Sequence, residues 1–118
     1  MRVKIASIAD RADLDKERIV MKVLSDTDIG SYAVFNAEVQ NGVVTTGVQD
    51  VFWFPDKKVS EGDFVVLYTK RGKQSEKKLH VGGKMTHFFY WGSSTPKWKT
   101  GGTAPVLLFI SEWEAFTE

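Results

Sequence analysis

The chain has no cysteine. That absence excludes disulfide frameworks, thiolate metal centres and cysteine nucleophiles together. Histidine is scarce as well, with only His80 and His87 in 118 residues. Neither stands in a Ser-His-Asp context, and no Gly-x-Ser-x-Gly elbow occurs. Two histidines without a third ligand at recognisable spacing do not make a zinc site, which needs three or four. No apolar run approaches the roughly 20 residues needed to span a bilayer as a helix. The stretch before Asp10 and Arg11 holds no apolar run of signal-peptide length. A cytoplasmic protein without membrane association is expected. A global charge bias is missing too, since the net charge is +1, giving no overall pull toward nucleic acid or an anionic surface.

The remaining motifs for small-molecule chemistry are incomplete. Gly72, Gly82-Gly83 and Gly101-Gly102 form no phosphate-cradling pattern, and Gly83-Lys84 lacks the spacing before it and the helix after it. In Asp26-x-Asp28-x-Gly30 the glycine comes one residue early for a calcium loop, and the bidentate glutamate is missing. This segment, and the cluster Asp10, Asp13, Asp15 and Glu17, read as solvated turns. The expectation is a protein that is not an enzyme and binds no cofactor or metal.

What is present is the material of a core. Hydrophobic residues make up 42% of the chain and fifteen residues are aromatic, which argues against disorder. The length suits one domain over 1–118. The periodicity is that of strands. Segment 2–8 alternates, and in 18–24 Ile19, Met21 and Val23 share one face. Ser31 to Val39 forms another strand, and Asn41-Gly42 is a hairpin turn signal leading into 43–48. Val51 to Phe54 is a short apolar run closed by Pro55. Phe64 to Thr69 reads as a buried strand, with Phe64, Val66, Tyr68, Leu107 and Phe109 expected to face the core or its immediate surroundings. Lys70 to Lys78 reads as a charged loop. In 87–91, His87, Phe89 and Trp91 point one way and Phe88 and Tyr90 the other. Residues 103–116 close the domain. No amphipathic stretch of helix length appears, so short strands at regular spacing predict a sandwich or barrel.

Three stretches resemble a known family. Phe54-Pro55-Asp56-Lys57-Lys58-Val59-Ser60-Glu61-Gly62-Asp63, running into Phe64–Tyr68, resembles the Phe-Pro edge, glycine turn and apolar strand of lamin-tail domains. Trp91-Gly92, Trp98 and Gly101-Gly102-Thr103-Ala104-Pro105-Val106-Leu107-Leu108 resemble that family's tryptophan-glycine loop and last core strand. Ile19 to Tyr32 is similar to its early strand and turn. The resemblance covers roughly residues 18–116. It departs from the family where Gly-Gly-Thr-Ala-Pro replaces the usual Gly-Asp, and where Ser111-Glu112-Trp113-Glu114 replaces the final hairpin. The resemblance implies an all-β, immunoglobulin-like sandwich of about seven to nine mostly antiparallel strands. It also implies a non-catalytic interaction or architectural module, with Trp91 and Trp98 capping one end of the sandwich.

Charge distribution adds a second expectation. Residues 1–56 carry a net −3, 57–99 carry +7 and 100–118 carry −3. The candidate contact residues are Lys70, Arg71, Lys73, Lys77, Lys78, Lys84, Trp91, Lys97, Trp98 and Lys99. Their cations would attract phosphates, and exposed Tyr90, Trp91 or Trp98 would stack on bases. The alternatives for the partner are thus a protein, nucleic acid, or further copies of the chain in a structural, virion-type assembly.

Overall fold

In the computed structural model, which describes residues 1–79, 82–99 and 101–118, the alternating stretches become strands. Strand β1 (Val3–Ala9) pairs antiparallel with β2 (Arg18–Val23). After the short β3 (Thr27–Asp28) and a 3-10 turn over Ile29–Ser31 come β4 (Tyr32–Gln40) and β5 (Val43–Trp53). These two form a hairpin around Asn41 and Gly42, whose φ values of 53° and 76° are those a type I′ turn demands. The remaining strands are β6 (Lys58–Val59), β7 (Phe64–Tyr68), β8 (Ser75–Lys78), β9 (Met85–Tyr90) and β10 (Thr103–Phe109).

Eight of these strands build two layers. One is a five-stranded sheet in the order β1-β2-β7-β9-β8, and the other a three-stranded sheet in the order β10-β4-β5. The pair β3-β6 lies apart from both. All pairings are antiparallel except β7 with β9. That parallel pair arises because β8 lies beyond β9, so the chain steps over one strand position and turns back. The result is an all-β sandwich. Pro105 falls in β10, an edge strand, where a missing ladder donor is tolerated.

The core lies between the layers. Ile19, Met21, Val23, Val65, Leu67 and Phe89 face it from the larger sheet, and Tyr32, Val34 and Phe54 from the smaller. A chain of aromatic contacts runs through it, from Phe89 to Phe54 at 5.1 Å, to Phe52 at 5.0 Å, to Trp91 at 5.8 Å and to Trp98 at 5.9 Å. Of the residues expected at the core or its immediate surroundings, Val66 is buried at 6% exposure and Phe64 and Tyr68 are half-buried. All three lie on the side of β7 away from the main cluster, alternating with Val65 and Leu67, which face it. Strand β7 is apolar on both faces, so its own sequence sets no parity. The register does, because Val65 and Leu67 sit opposite Met21 and Ile19. Leu107 packs against the core, whereas Phe109 is 54% exposed. The charged stretch 70–78 holds β8 rather than only a loop, and β5 continues through Trp53 by way of two irregularities in its pairing with β4.

Candidate functional site

The polar groups buried in the sandwich are the first place to look for chemistry. Glu17 is fully buried at the end of the loop before β2. Its Oε1 accepts from the backbone N–H of Ala12 at 2.9 Å and of Trp98 at 3.1 Å. Its Oε2 accepts from the Thr69 hydroxyl at 2.5 Å and the Lys97 N–H at 2.9 Å. Burial pushes this carboxyl up, but the four hydrogen bonds outweigh it and hold the pKa below the ordinary value. Glu17 thereby ties three separate loops together. Beside it, Asp50 accepts from the Trp91 indole at 3.0 Å and from the Lys97 ammonium at 2.5 Å, and that ammonium lies 4.6 Å from the Trp91 ring centroid.

A second polar group sits between β7 and β9. Asp63 Oδ2 accepts from Ser60 N–H at 3.0 Å and meets His87 Nε2 at 2.9 Å, while Oδ1 accepts from Met85 N–H at 3.0 Å. Burial raises the Asp63 pKa, and these bonds, led by His87, bring it below normal. The Nδ1 of His87 makes no hydrogen bond, since Glu76 Oε2 stands 3.5 Å away and is engaged by Lys57 at 2.7 Å. Asp28 Oδ1 accepts from Gly30 and Lys57 N–H groups, and Asp26 Oδ1 from Glu61 N–H. These carboxylates pin backbone turns. Among the described residues no three His, Asp or Glu side chains converge on a position for a metal ion, and no helix is long and apolar enough to cross a membrane. His80 lies outside the described residues.

The structure divides the ten candidate contact residues. Trp98 has no exposed surface and belongs to the core, so it offers no ring to a base. Trp91 is half-buried between Phe52, Trp98 and the Lys97 ammonium. Lys97 is spent on Asp50. The Lys84 stem lies over Gly62, where a Cβ would come within 3.0 Å of its Cε. The Lys70 ammonium sits 5.0 Å from the Tyr68 ring centroid. Tyr90 stacks on Tyr68 at 5.4 Å and 10°, and Gly72 lies against its ring. Of the three rings expected to stack on bases, Trp98 is thus buried, while Tyr90 and Trp91 are half-buried against their own neighbours. Arg71, Lys73, Lys77, Lys78 and Lys99 remain exposed, and none forms an ion pair among the described residues.

The outer faces of the two sheets differ. On the larger sheet, strand positions facing outward include Lys4, Ser7, Arg18, Lys22, Thr86, Ser75 and Lys77 around Val20, Phe64, Val66, Tyr68, Phe88 and Tyr90. Charged and polar groups thus border a half-buried apolar centre in which Val66 is buried. On the smaller sheet the pairing gives three rows across β5, β4 and β10. They are Trp53-Ala33-Leu108, Val51-Phe35-Val106 and Val48-Ala37-Ala104. All nine are apolar. Trp53 and Val51 are each 47% exposed and Val48 is 40% exposed. The Trp53 indole N–H donates to Gly30 O at 2.8 Å, so the exposed part of that ring carries no unmet donor. Trp113 meets Trp53 edge-on at 5.0 Å, and Phe116 stands free at 86% exposure. Sequence reasoning missed this face because its rows join residues from three strands in a register that alternation within one strand does not fix.

These features define a β-sandwich whose larger sheet has a mixed outer face and whose smaller sheet has an apolar one. No protein-family model matches the chain, and no curated protein matches it.

Proposed function

We propose that this chain is a non-catalytic interaction module of lamin-tail type that binds through the outer face of its three-stranded sheet. The observation that carries the reading is the nine-residue apolar face, on which Trp53, Val51 and Val48 are exposed and Phe35, Ala104, Val106 and Leu108 half-buried, since contiguous apolar surface on a folded domain marks a contact surface. The lamin-tail resemblance is supported by the places its residues take. Phe54 is buried, Gly62 turns with φ 86° just before β7, and Trp91 and Trp98 touch at one end of the sandwich. The non-catalytic part is supported by the use of Glu17, Asp50 and Asp63, whose oxygens are taken by structural bonds. A cysteine-free chain is in keeping with a reducing, cytoplasmic setting. A photo-crosslinking residue placed at position 51 tests the reading in extracts of the source cell. Adducts at 51 that are absent when the same residue replaces Lys77 support it, and identical adduct patterns at the two positions reject it.

A second reading rests on the five exposed cations, which form no ion pair among the described residues. With the rings occupied, they supply only sequence-independent attraction to phosphates. Five contacts to a single strand give a slope of log K against log salt of about −3.5. No binding at low salt, or a flat salt response, removes this reading.

A further inference from the structure

We infer that the partner covering the apolar face is a second copy of this chain, packed sheet against sheet about a two-fold axis. This rests on the reading of that face as the binding surface. Shape narrows the occupant first. The three rows form an open sheet surface, and two shallow depressions lie away from it, at Met1, Arg2, Tyr32 and Phe109 and at Asp26, Asp28, Lys58 and Ser60. A small apolar ligand needs concavity, and an amphipathic helix needs a groove. A sheet face accepts another sheet face, with side chains interdigitating as they do inside a sandwich.

Charge narrows it further. No strand position on the face is ionisable, so a partner that brings a charge to its centre leaves that charge unpaired. The same face on a second copy brings none. Its profile also permits self-complementarity: on the central strand Phe35 stands between Ala33 and Ala37, which are 2% and 1% exposed, and a two-fold axis crossing the strands between positions 35 and 37 sets each Phe35 against the other copy's Ala37. A two-fold contact sets the same surface on both sides, as isologous dimers require. Because the one indole donor is already satisfied by Gly30, closing the contact orphans no polar side-chain group of the nine.

Size sets the strength. Three strands about 4.8 Å apart and five residues long give a flat footprint of roughly 250 Å², well under the ~800 Å² per partner of a standard stable interface. The dimer is therefore weak and reversible, and forms only toward high protein concentration.

Sedimentation of the whole chain from about 5 µM to about 1 mM tests this, together with binding of the neutral dye Nile red. The expected result is a mass that rises from one chain to two. Dye bound by the dilute protein is released as the dimer forms. Val51→Lys and, independently, Val48→Lys stay single across the range while keeping the wild-type melting temperature, and Lys77→Ala on the other sheet dimerises normally. Dimerisation of both Lys variants at wild-type strength overturns the proposal, as does growth past two copies. A wild type that stays single but binds dye in a Val51-dependent way rejects the second copy and leaves the binding face standing. A wild type that stays single and binds no dye rejects both.

Discussion

Glu17→Gln is the most informative single change, because it keeps the shape of the side chain and alters only what it can accept. In the wild type four donors converge on two oxygens. An amide offers one oxygen and one NH₂. With the NH₂ placed toward Thr69 and Lys97, the Thr69 hydroxyl can turn to accept from it, but the Lys97 N–H is left facing a donor. With the NH₂ toward Ala12 and Trp98, two backbone N–H groups are opposed. The first arrangement costs less. It loses one charge-assisted bond, worth about 1.5–3 kcal/mol, and orphans a buried N–H at about 1–3 kcal/mol. Relief from burying a charge offsets part of this. The balance is a loss of about 3 kcal/mol. For a chain of 118 residues the unfolding entropy is roughly 0.25 kcal/mol/K, so Tm falls by roughly 12 °C. The pH dependence is a further check. The Glu17 pKa in the fold is below its unfolded value. Its contribution is therefore fully present above the unfolded value and fades as pH falls through the folded one. Calorimetric melts of wild type and variant should differ by a constant amount at neutral pH and converge in acid. A neutral-pH difference under about 3 °C, or a gap that widens in acid, would refute the hub role.

Two more changes probe the frame around the candidate face. Asp63→Asn sets an amide against donors from Ser60 or Met85 and should cost about 2 kcal/mol at neutral pH by denaturant titration. Because the Asp63 pKa is lowered in the fold, the gap should close below the ordinary carboxylate range, and a gap independent of pH down to acid would count against the assignment. Gly30→Ala places a Cβ 2.8 Å from the Asp56 Cα, a backbone atom that cannot swing aside. It should destabilise by at least about 1–3 kcal/mol and disturb the Trp53 indole bonded to Gly30 O, visible as a change in near-ultraviolet circular dichroism. An unchanged spectrum and midpoint would show that the turn is looser than its contacts imply.

How much was legible in the sequence depended on the range of the interactions. Strand β2 was readable because Ile19, Met21 and Val23 alternate with Arg18 and Lys22, and all three are fully buried. The Asn41-Gly42 turn was readable because it needs only two residues with positive φ. Strand β8 was not, since Ser-Glu-Lys-Lys has no apolar residue and is a strand only because β9 offers it a free edge. The orientation of β7 needed the register with β2. The role of Glu17 had little local signal, because of its four partners only Ala12 is near in sequence, while Thr69, Lys97 and Trp98 lie 52, 80 and 81 residues away. The same long-range closure draws Trp98 into the core and takes it out of the set of contact residues.

The apolar outer face has one simple competing account, that strands favour apolar residues whatever they face. Two comparisons weigh against it. The larger sheet has the same backbone preferences, yet it sets Lys4, Arg18, Lys22 and Lys77 on its outer face. Propensity does not separate the two sheets, whereas a difference in what they contact does. The second comparison lies within the face. Propensity favours β-branched and aromatic side chains and disfavours alanine, yet alanine occupies two of the three central positions, Ala33 and Ala37, and the edge position Ala104. Alanine there contributes little to strand preference, and Ala33 and Ala37 lie 2% and 1% exposed on either side of Phe35. What they leave is a hollow beside the Phe35 ring, which allows an opposing side chain to approach closely. Valine at position 37 fills that hollow without adding charge, at an overpacking cost of about 1–3 kcal/mol in the fold. It should abolish association while the chain stays folded, whereas propensity alone predicts a more stable strand and unchanged association.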